Sequence, residues 1–469
     1  MKIRSLKISA FFNMLRTLLN IAFPLITFPY ITRILSPDGI GKLDFSRSII
    51  SYFVLLAALG ITQYAVREGS AIRDNVIIFN KFVNEIFTLN LLTALISYLL
   101  LIILLFSTSY LKQYSTLILI FSLQIIFNTL SVEWLYNIYE DFIYITIRSF
   151  IVQVVSIIGM FLFVKSKNDY IIYAWITTIS MGGAYIFNFI HASKFINFKL
   201  EFSSRIFRHL QSTLILFFNN VASTIYLNSD VTIIGFMVGD YYVGIYSTAV
   251  KVYTIVKQVT NALLMSTLPR LSNYYNNQRV EEYLILLDNI FWAMFTLLAP
   301  SITGLIILRK AIVNIIAGNQ YSQSTSSLYI LSFGLLFSVL AAFIVHGILL
   351  VQREEKSILK ITLISAIVNV VLNLITVPIF KEKGAAVSTV TSECIVVILG
   401  LMKARGKFSI NFYLNKFLAI IIGCSAITMT CITINIFVAN TILSVSLSVL
   451  LSAVIYGIIL ILFRAVPKL

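Results

Sequence analysis

Three apolar stretches of the chain carry polar residues at helical spacing. With successive residues set 100° apart, Asn13, Arg16, Thr17, Asn20 and Thr27 fall within about 100° of one another. Asn219, Ser223, Tyr226 and Asp230 fall within about 60°. Ser247, Lys251, Thr254, Lys257, Gln258 and Asn261 fall within about 120°, with Thr248 and Thr260 off the stripe. A polar stripe on an apolar helix marks a face turned away from hydrocarbon. Together the stripes describe a hydrated cavity whose lining residues are Arg16, Asn20, Asn219, Asp230, Lys251, Lys257, Gln258 and Asn261. Arg16, Lys251 and Lys257 outnumber Asp230, so the cavity would be cationic. Low-dielectric walls focus such a field and concentrate anions. Arg supplies a two-pronged contact to phosphate or carboxylate, and Lys a point charge. Plainer readings stand beside this one. Arg16 could snorkel to the headgroups at its helix start, and Asp230 and Lys251 could neutralise each other.

Other titratable groups lie off the stripes. Glu133 and Arg148, at comparable depths in EWLYNIYEDFIYITIR, could form a structural or gating pair at one helical turn. His346 and Glu393 stand alone in apolar sequence. Either could take part in coupling to H⁺ or Na⁺, or be a hydrogen-bonded packing residue. Cys394, Cys424 and Cys431 fall inside apolar runs, unlike a metal cluster or a disulfide framework. No catalytic residue, metal site or cofactor is read from the sequence.

The elements that must position these residues are membrane helices. Of 469 residues, 59% are hydrophobic and 12% charged, with a mean hydropathy of +0.94. Soluble domains are about a quarter charged. The composition excludes a soluble enzyme, a disordered protein and a disulfide scaffold, and it demands a bilayer. The net charge of +16 does not indicate nucleic acid, because the basic residues sit in short loops beside membrane lipids. About fourteen apolar runs are long enough to span. They begin at 10–32 and 45–66, include 115–136, 211–236, 243–268 and 288–308, and end at 443–463. Pro24 and Pro29 should kink or interrupt the first. The basic N-terminus and its apolar continuation read as a spanning helix, not a cleaved signal. Roughly twice as many loop Lys and Arg fall on one side as on the other, which predicts cytoplasmic termini. The connections near 192–210 and 269–287 are the longest cytoplasmic loops expected, and 309–324 the longest outer one.

The halves echo each other. SPDGIGKLDFSRSI (36–49) and GDYYVGIYSTAVKV (239–252) follow the first and seventh runs, with Gly41 matching Gly244. The expected fold is an all-α polytopic membrane protein of about fourteen helices. It divides into a six-helix lobe over 1–197, a second over 198–407 and two additional helices over 408–469.

Five stretches then carry a family resemblance: FPYITRILSPDGIGKLDFSRSIISYF (28–53), EWLYNIYEDFIYITIRSF (133–150), VGIYSTAVKVY (243–253), LPRLSNYY (268–275) and KGAAVSTVTSE (383–393). In this order the chain resembles Wzx-type polysaccharide repeat-unit flippases of the multidrug/oligosaccharidyl-lipid/polysaccharide exporter superfamily. The resemblance implies two six-helix lobes that move undecaprenyl-pyrophosphate-linked oligosaccharide across a bacterial inner (plasma) membrane. It implies O-antigen, capsule or exopolysaccharide synthesis, with polysaccharide polymerase and chain-length proteins as neighbours. It carries cavity cations onto Arg16 and Lys251, whereas Lys257 rests on the stripe. A lipid II flippase and a cation-coupled drug exporter are the alternatives in the same superfamily. A membrane-embedded glycosyltransferase or polymerase would need catalytic acids or bases near a wide outer loop, and 309–324 has neither acid nor histidine.

Overall fold

The computed structural model describes residues 12, 15, 23–203 and 205–466. The expected cavity residues Arg16 and Asn20, with Asn13 and Thr17, lie outside them. The described residues are organised as helices: α1 over 23–34, α2 Pro37–Ala58, α3 Ile61–Ile72, α4 Val76–Ser107, α5 Ser115–Ser131, α6 Glu133–Tyr139, α7 Phe142–Phe163, α8 Tyr170–Thr178 and α9 Ala184–Ala192. There follow α10 Arg205–Met237, α11 Asp240–Asn276, α12 Val280–Ala317, α13 Ser324–Ala342, α14 Glu355–Phe380, α15 Glu382–Ala404, α16 Leu414–Phe437 and α17 Thr441–Leu462. Among the described residues, 11 helical spans are long and apolar enough to cross a membrane. The long helices α10 and α11, which bear two of the polar stripes, are not among them. The chain is a multi-pass helical membrane protein.

Local sequence explains the starts and breaks. Ser36 caps α2 by accepting from the Gly39 N–H at 3.3 Å, and Pro37 at the first position lacks an N–H that would need a partner. α11 opens after Gly239, at φ +100°. Gly41 and Gly244 thus occupy the same place, one turn into α2 and α11, and both are buried. The run expected at 45–66 is broken into α2 and α3 at Leu59 and Gly60, both left-handed. The run at 115–136 is broken into α5 and α6 at Val132, φ +35°. In the first run, α1 continues through Pro29 without interruption in its described part.

Two expected loops are largely helix. α11 runs on to Asn276 and α12 starts at Val280, so 269–287 contributes three connecting residues. α12 likewise continues to Ala317 through most of 309–324. Hydropathy marks where a helix leaves hydrocarbon, not where its hydrogen bonding stops. At about 1.5 Å per residue, helices of 37 and 38 residues far exceed the ~30 Å apolar layer.

The chain divides into two compact units, Met1–Thr232 and Ile233–Leu469, with the boundary inside α10. In each unit small polar side chains tie helices together. In the first, Thr93 and Ser97 of α4 donate to the Ala57 and Phe53 carbonyls of α2, each at 2.7 Å. In the second, Ser324 donates to Ile245 O at 2.7 Å and Ser365 to Ser392 O at 2.8 Å. Tyr456 of α17 donates to Thr296 O of α12 at 2.8 Å, fastening the last helix pair. Between apolar helices in lipid, such bonds and close packing replace the hydrophobic drive. Large apolar side chains face outward instead, among them Ile77, Phe106 and Phe437.

Outside the membrane-spanning segments, Glu354 collects Lys407 at 2.7 Å, Lys403 at 3.3 Å and Ser357 at 2.9 Å. Hydrogen bonds from Lys407, Ser357 and Lys403 lower its carboxyl to about 2. A depressed folded-state value stabilises above the ordinary range, near 4.5, and that contribution fades as pH falls toward 2. Thermal unfolding of detergent-solubilised protein between pH 7 and pH 3 is therefore expected to show a smaller acid loss in Glu354→Gln. An unchanged acid slope would remove this clamp from the account.

Gly60 is the tightest local constraint. It sits at φ +70°, and a Cβ there would lie 2.8 Å from Leu216 Cβ and 2.9 Å from Thr213 O of α10. Gly60→Ala is expected to cost about 1–3 kcal/mol through backbone strain and the clash. The check is apparent melting temperature and membrane abundance against Gly304→Ala, where a Cβ meets nothing within 4 Å.

Candidate functional site: the polar face of α11

In the second unit α11 carries Lys251, Lys257, Gln258 and Asn261 along one helix, and one of these has a partner on another helix. Lys257 Nζ lies 2.8 Å from Glu393 Oε1 of α15. Tyr253, four residues before Lys257 and hence on the same face, donates to that oxygen at 3.4 Å. Glu393 is buried and Lys257 is about a quarter exposed. The acid that stands alone in sequence is thus matched by a base 136 positions away. His346 lies in a π-helical turn, Phe343–Leu350, that follows α13. Such turns recur at functional positions in helices. The turn packs on both helices of the ion pair, with Gly347 beside Leu264 of α11 and Ile344 beside Gly400 of α15.

The pairing changes the electrostatics expected of the stripe. A lysine neutralised at 2.8 Å by a buried carboxylate adds little net field, so Lys257 is not a free cation. Lys251 is half-buried, Gln258 is exposed and Asn261 is half-buried. The Asn261 Oδ1 is sheltered without a hydrogen-bond partner among the described residues. Leu264, off the stripe, is fully buried.

The remaining predicted residues lie in the first unit. Asp230 is buried on α10, and two residues on, Thr232 Oγ1 lies 3.2 Å from the Tyr52 hydroxyl. Asn219 belongs to α10, and its side chain is outside the described set. Glu133 opens α6, and Arg148 is buried in α7 over the Tyr185 ring at 5.4 Å. Arg148 borders a cavity of about 490 Å³ with Asp141, Tyr144 and His191. Tyr144 stacks on His191 at 4.1 Å, and the Tyr136 hydroxyl lies 2.9 Å from His191 Nδ1. Among the described residues, no group of three or more His, Cys, Asp or Glu could hold a metal.

Sequence reasoning missed one buried chain. The Tyr64 hydroxyl is 2.7 Å from His209 Nδ1, and His209 Nε2 is 3.1 Å from Glu85 Oε2. Next to it, Asn84 Oδ1 accepts the Lys199 N–H at 3.1 Å, and Thr88 Oγ1 accepts the Glu201 N–H at 2.9 Å. The polar connector and the start of α10 are thereby bolted to α3 and α4. Glu85, an acid inside an apolar run, was the available signal; no spacing rule leads from it to His209.

A buried ion pair is costly to break from one side, because the other charge is left uncompensated. Lys257→Gln or Glu393→Gln alone is expected to destabilise by about 3 kcal/mol, and the double variant by clearly less than the sum. Unfolding in detergent reads this cycle. Strict additivity would mean that the two side chains do not support each other.

Comparison with known proteins places this helical arrangement. Residues 6–275 match the family described as polysaccharide biosynthesis protein. A protein of Escherichia coli (strain K12) whose name is that of an O-antigen transporter is 24% identical over 402 residues, covering 83% of this chain and 94% of that protein. The capsular polysaccharide biosynthesis protein CapF of Staphylococcus aureus is 24% identical over 382 residues, covering 78% of this chain and 91% of CapF. The fold is similar to that of the lipid II flippase MurJ in an inward closed conformation. That likeness has a TM-score of 0.80, 17% identity, and covers 98% of this chain and 100% of MurJ. The family match spans more than half of the sequence, from ahead of α1 to the last turn of α11, and the chain belongs to the polysaccharide biosynthesis protein family.

Proposed function

We propose that this protein is a flippase for undecaprenyl-pyrophosphate-linked oligosaccharide in the bacterial inner (plasma) membrane. It serves O-antigen, capsule or exopolysaccharide synthesis, with both termini cytoplasmic. The observation that carries the reading is α11, a helix long enough to cross the bilayer that keeps Lys251, Lys257, Gln258 and Asn261 along it. Family membership and the names of the relatives support the same reading. A pyrophosphate and its sugars cannot cross hydrocarbon unaided, because charged and hydroxyl groups would be stripped of water. Fixed cations and amides stand in for that water, and the prenyl tail stays in lipid. Alternating access then delivers the headgroup to the other leaflet. No covalent bond is made or broken, and the protein is not an enzyme.

Arg16 and Lys251 take the pyrophosphate charge in this scheme. Asn20, Asn219, Gln258 and Asn261 supply hydrogen bonds, and Asp230 balances the local charge. Lys257, Glu393 and His346 form the group where H⁺ or Na⁺ couples to transport. Glu133 and Arg148 brace the turn between α5 and α7. The halves 1–197 and 198–407 are the parts that move, with 408–469 added to them. Polymerase and chain-length proteins take up the product.

Charge reversal tests the scheme. Arg16→Glu and Lys251→Glu are expected to abolish surface polysaccharide, their Gln counterparts to reduce it less, and Arg16→Lys least. Repulsion in a partly dehydrated site outweighs a lost attraction. Variants are compared at equal membrane abundance, and lipid-linked repeat units should accumulate on the inner leaflet. Normal polysaccharide from both reversed variants would overturn the cationic mechanism.

A further inference from the structure

A second cavity, of about 490 Å³, lies in the second unit and is lined by no residue of α11 among those described. It is built where α12 ends, where the connector to α13 turns, and where α16 hands over to α17. Its polar lining includes Lys310, Asn314, Asn319, Ser322, Asn435 and Ser444. Among the described residues, neither an acidic nor an aromatic one lines it. Its volume falls within the range of small-molecule sites, about 300–1,000 Å³.

The chemistry of the lining is selective. Arg309, one residue before Lys310, is engaged elsewhere: it donates to the Ile306 carbonyl and lies over the Tyr329 ring at 4.9 Å. Lys310 therefore supplies the positive charge, and no lining carboxylate cancels it. Ser444 donates to Asn435 Oδ1 at 2.7 Å, which fixes the amide and leaves its NH₂ group to donate. The amides of Asn314 and Asn319 and the Ser322 hydroxyl add further donors and acceptors. Exposed Ile436, Phe437, Ile442 and Leu443 are sequence neighbours of its lining residues Asn435, Val438, Thr441 and Ser444, as expected of a site near the edge of the apolar layer. One ammonium ringed by amides and hydroxyls suits one negative charge flanked by hydroxyl groups.

We propose that this cavity, framed by the end of α12 and the α16–α17 turn, is a binding site for an anionic polyol, its charge on Lys310 and its hydroxyls on Asn314 and Asn435. An acidic sugar and the glycerol-phosphate headgroup of a lipid both have this chemistry. The site gives the last two helices a binding role of their own.

The full-length protein in nanodiscs tests it, with native mass spectrometry reading retained ligand. One arm compares phosphatidylglycerol with phosphatidylcholine. The other compares a glucuronic-acid disaccharide with its neutral counterpart. The anionic probe of at least one arm is expected to bind in preference to its neutral match. Lys310→Gln should weaken it about tenfold, Lys310→Arg should retain it, and Asn435→Leu should weaken it with the charge intact. The arm that responds identifies the source of the ligand. Equal retention of charged and neutral probes in both arms, or unchanged binding in Lys310→Gln, would overturn the proposal. The readout is binding alone, so it stands or falls separately from transport.

Discussion

Hydrocarbon offers no hydrogen bonds, and every other feature of this protein follows from that. A backbone N–H or C=O left open in lipid costs several kcal/mol, so the spanning segments close their backbones as helices. Side-chain polar groups face the same demand. Thr93, Ser97, Ser324 and Ser365 spend their hydroxyls on carbonyls of neighbouring helices. Most other Ser and Thr hydroxyls of the helices instead return to a carbonyl one turn back, as Thr88, Thr248 and Thr296 do. Lys257 and Glu393 meet the demand in its most severe form, since neither charge is tolerable alone in an apolar interior.

The same pressure relaxes at the membrane surfaces, where different devices take over. Glu354 holds two lysines and a serine where π-helix gives way to α14. Asp288 accepts the Asn411 N–H at 2.9 Å, and Trp292 donates to the Asn411 carbonyl at 3.0 Å. That pair of bonds fixes the lead-in to α16. In the first unit the Tyr64–His209–Glu85 chain does the corresponding work for the connector that precedes α10. Such clamps fix particular connections, while interhelical hydroxyl bonds tie particular helix pairs together.

A carrier of sugars on a lipid needs a polar route through such a structure without losing the fold. The composition of α11 answers that need. Its Val252, Tyr253 and Leu264 are buried, while Gln258 remains exposed and Lys251 half-buried. Because Glu393 lies 2.8 Å from Lys257 and offsets its charge, that lysine adds little net positive field to α11.

The amino-acid sequence by itself determined the membrane class and the helical architecture. Both are written locally, as the length and composition of apolar runs. It also marked Gly41 and Gly244, which fall at equivalent places one turn into α2 and α11. Sequence could not show that α11 and α12 run on past the hydrocarbon, because hydropathy reports the solvent and not the hydrogen bonding. Nor could it show that Glu393 is partnered, or that His209 joins Glu85 and Tyr64. Those contacts link residues 136, 124 and 145 positions apart. Only tertiary structure decides them, because helix packing chooses which buried charge meets which, and no local periodicity encodes that choice.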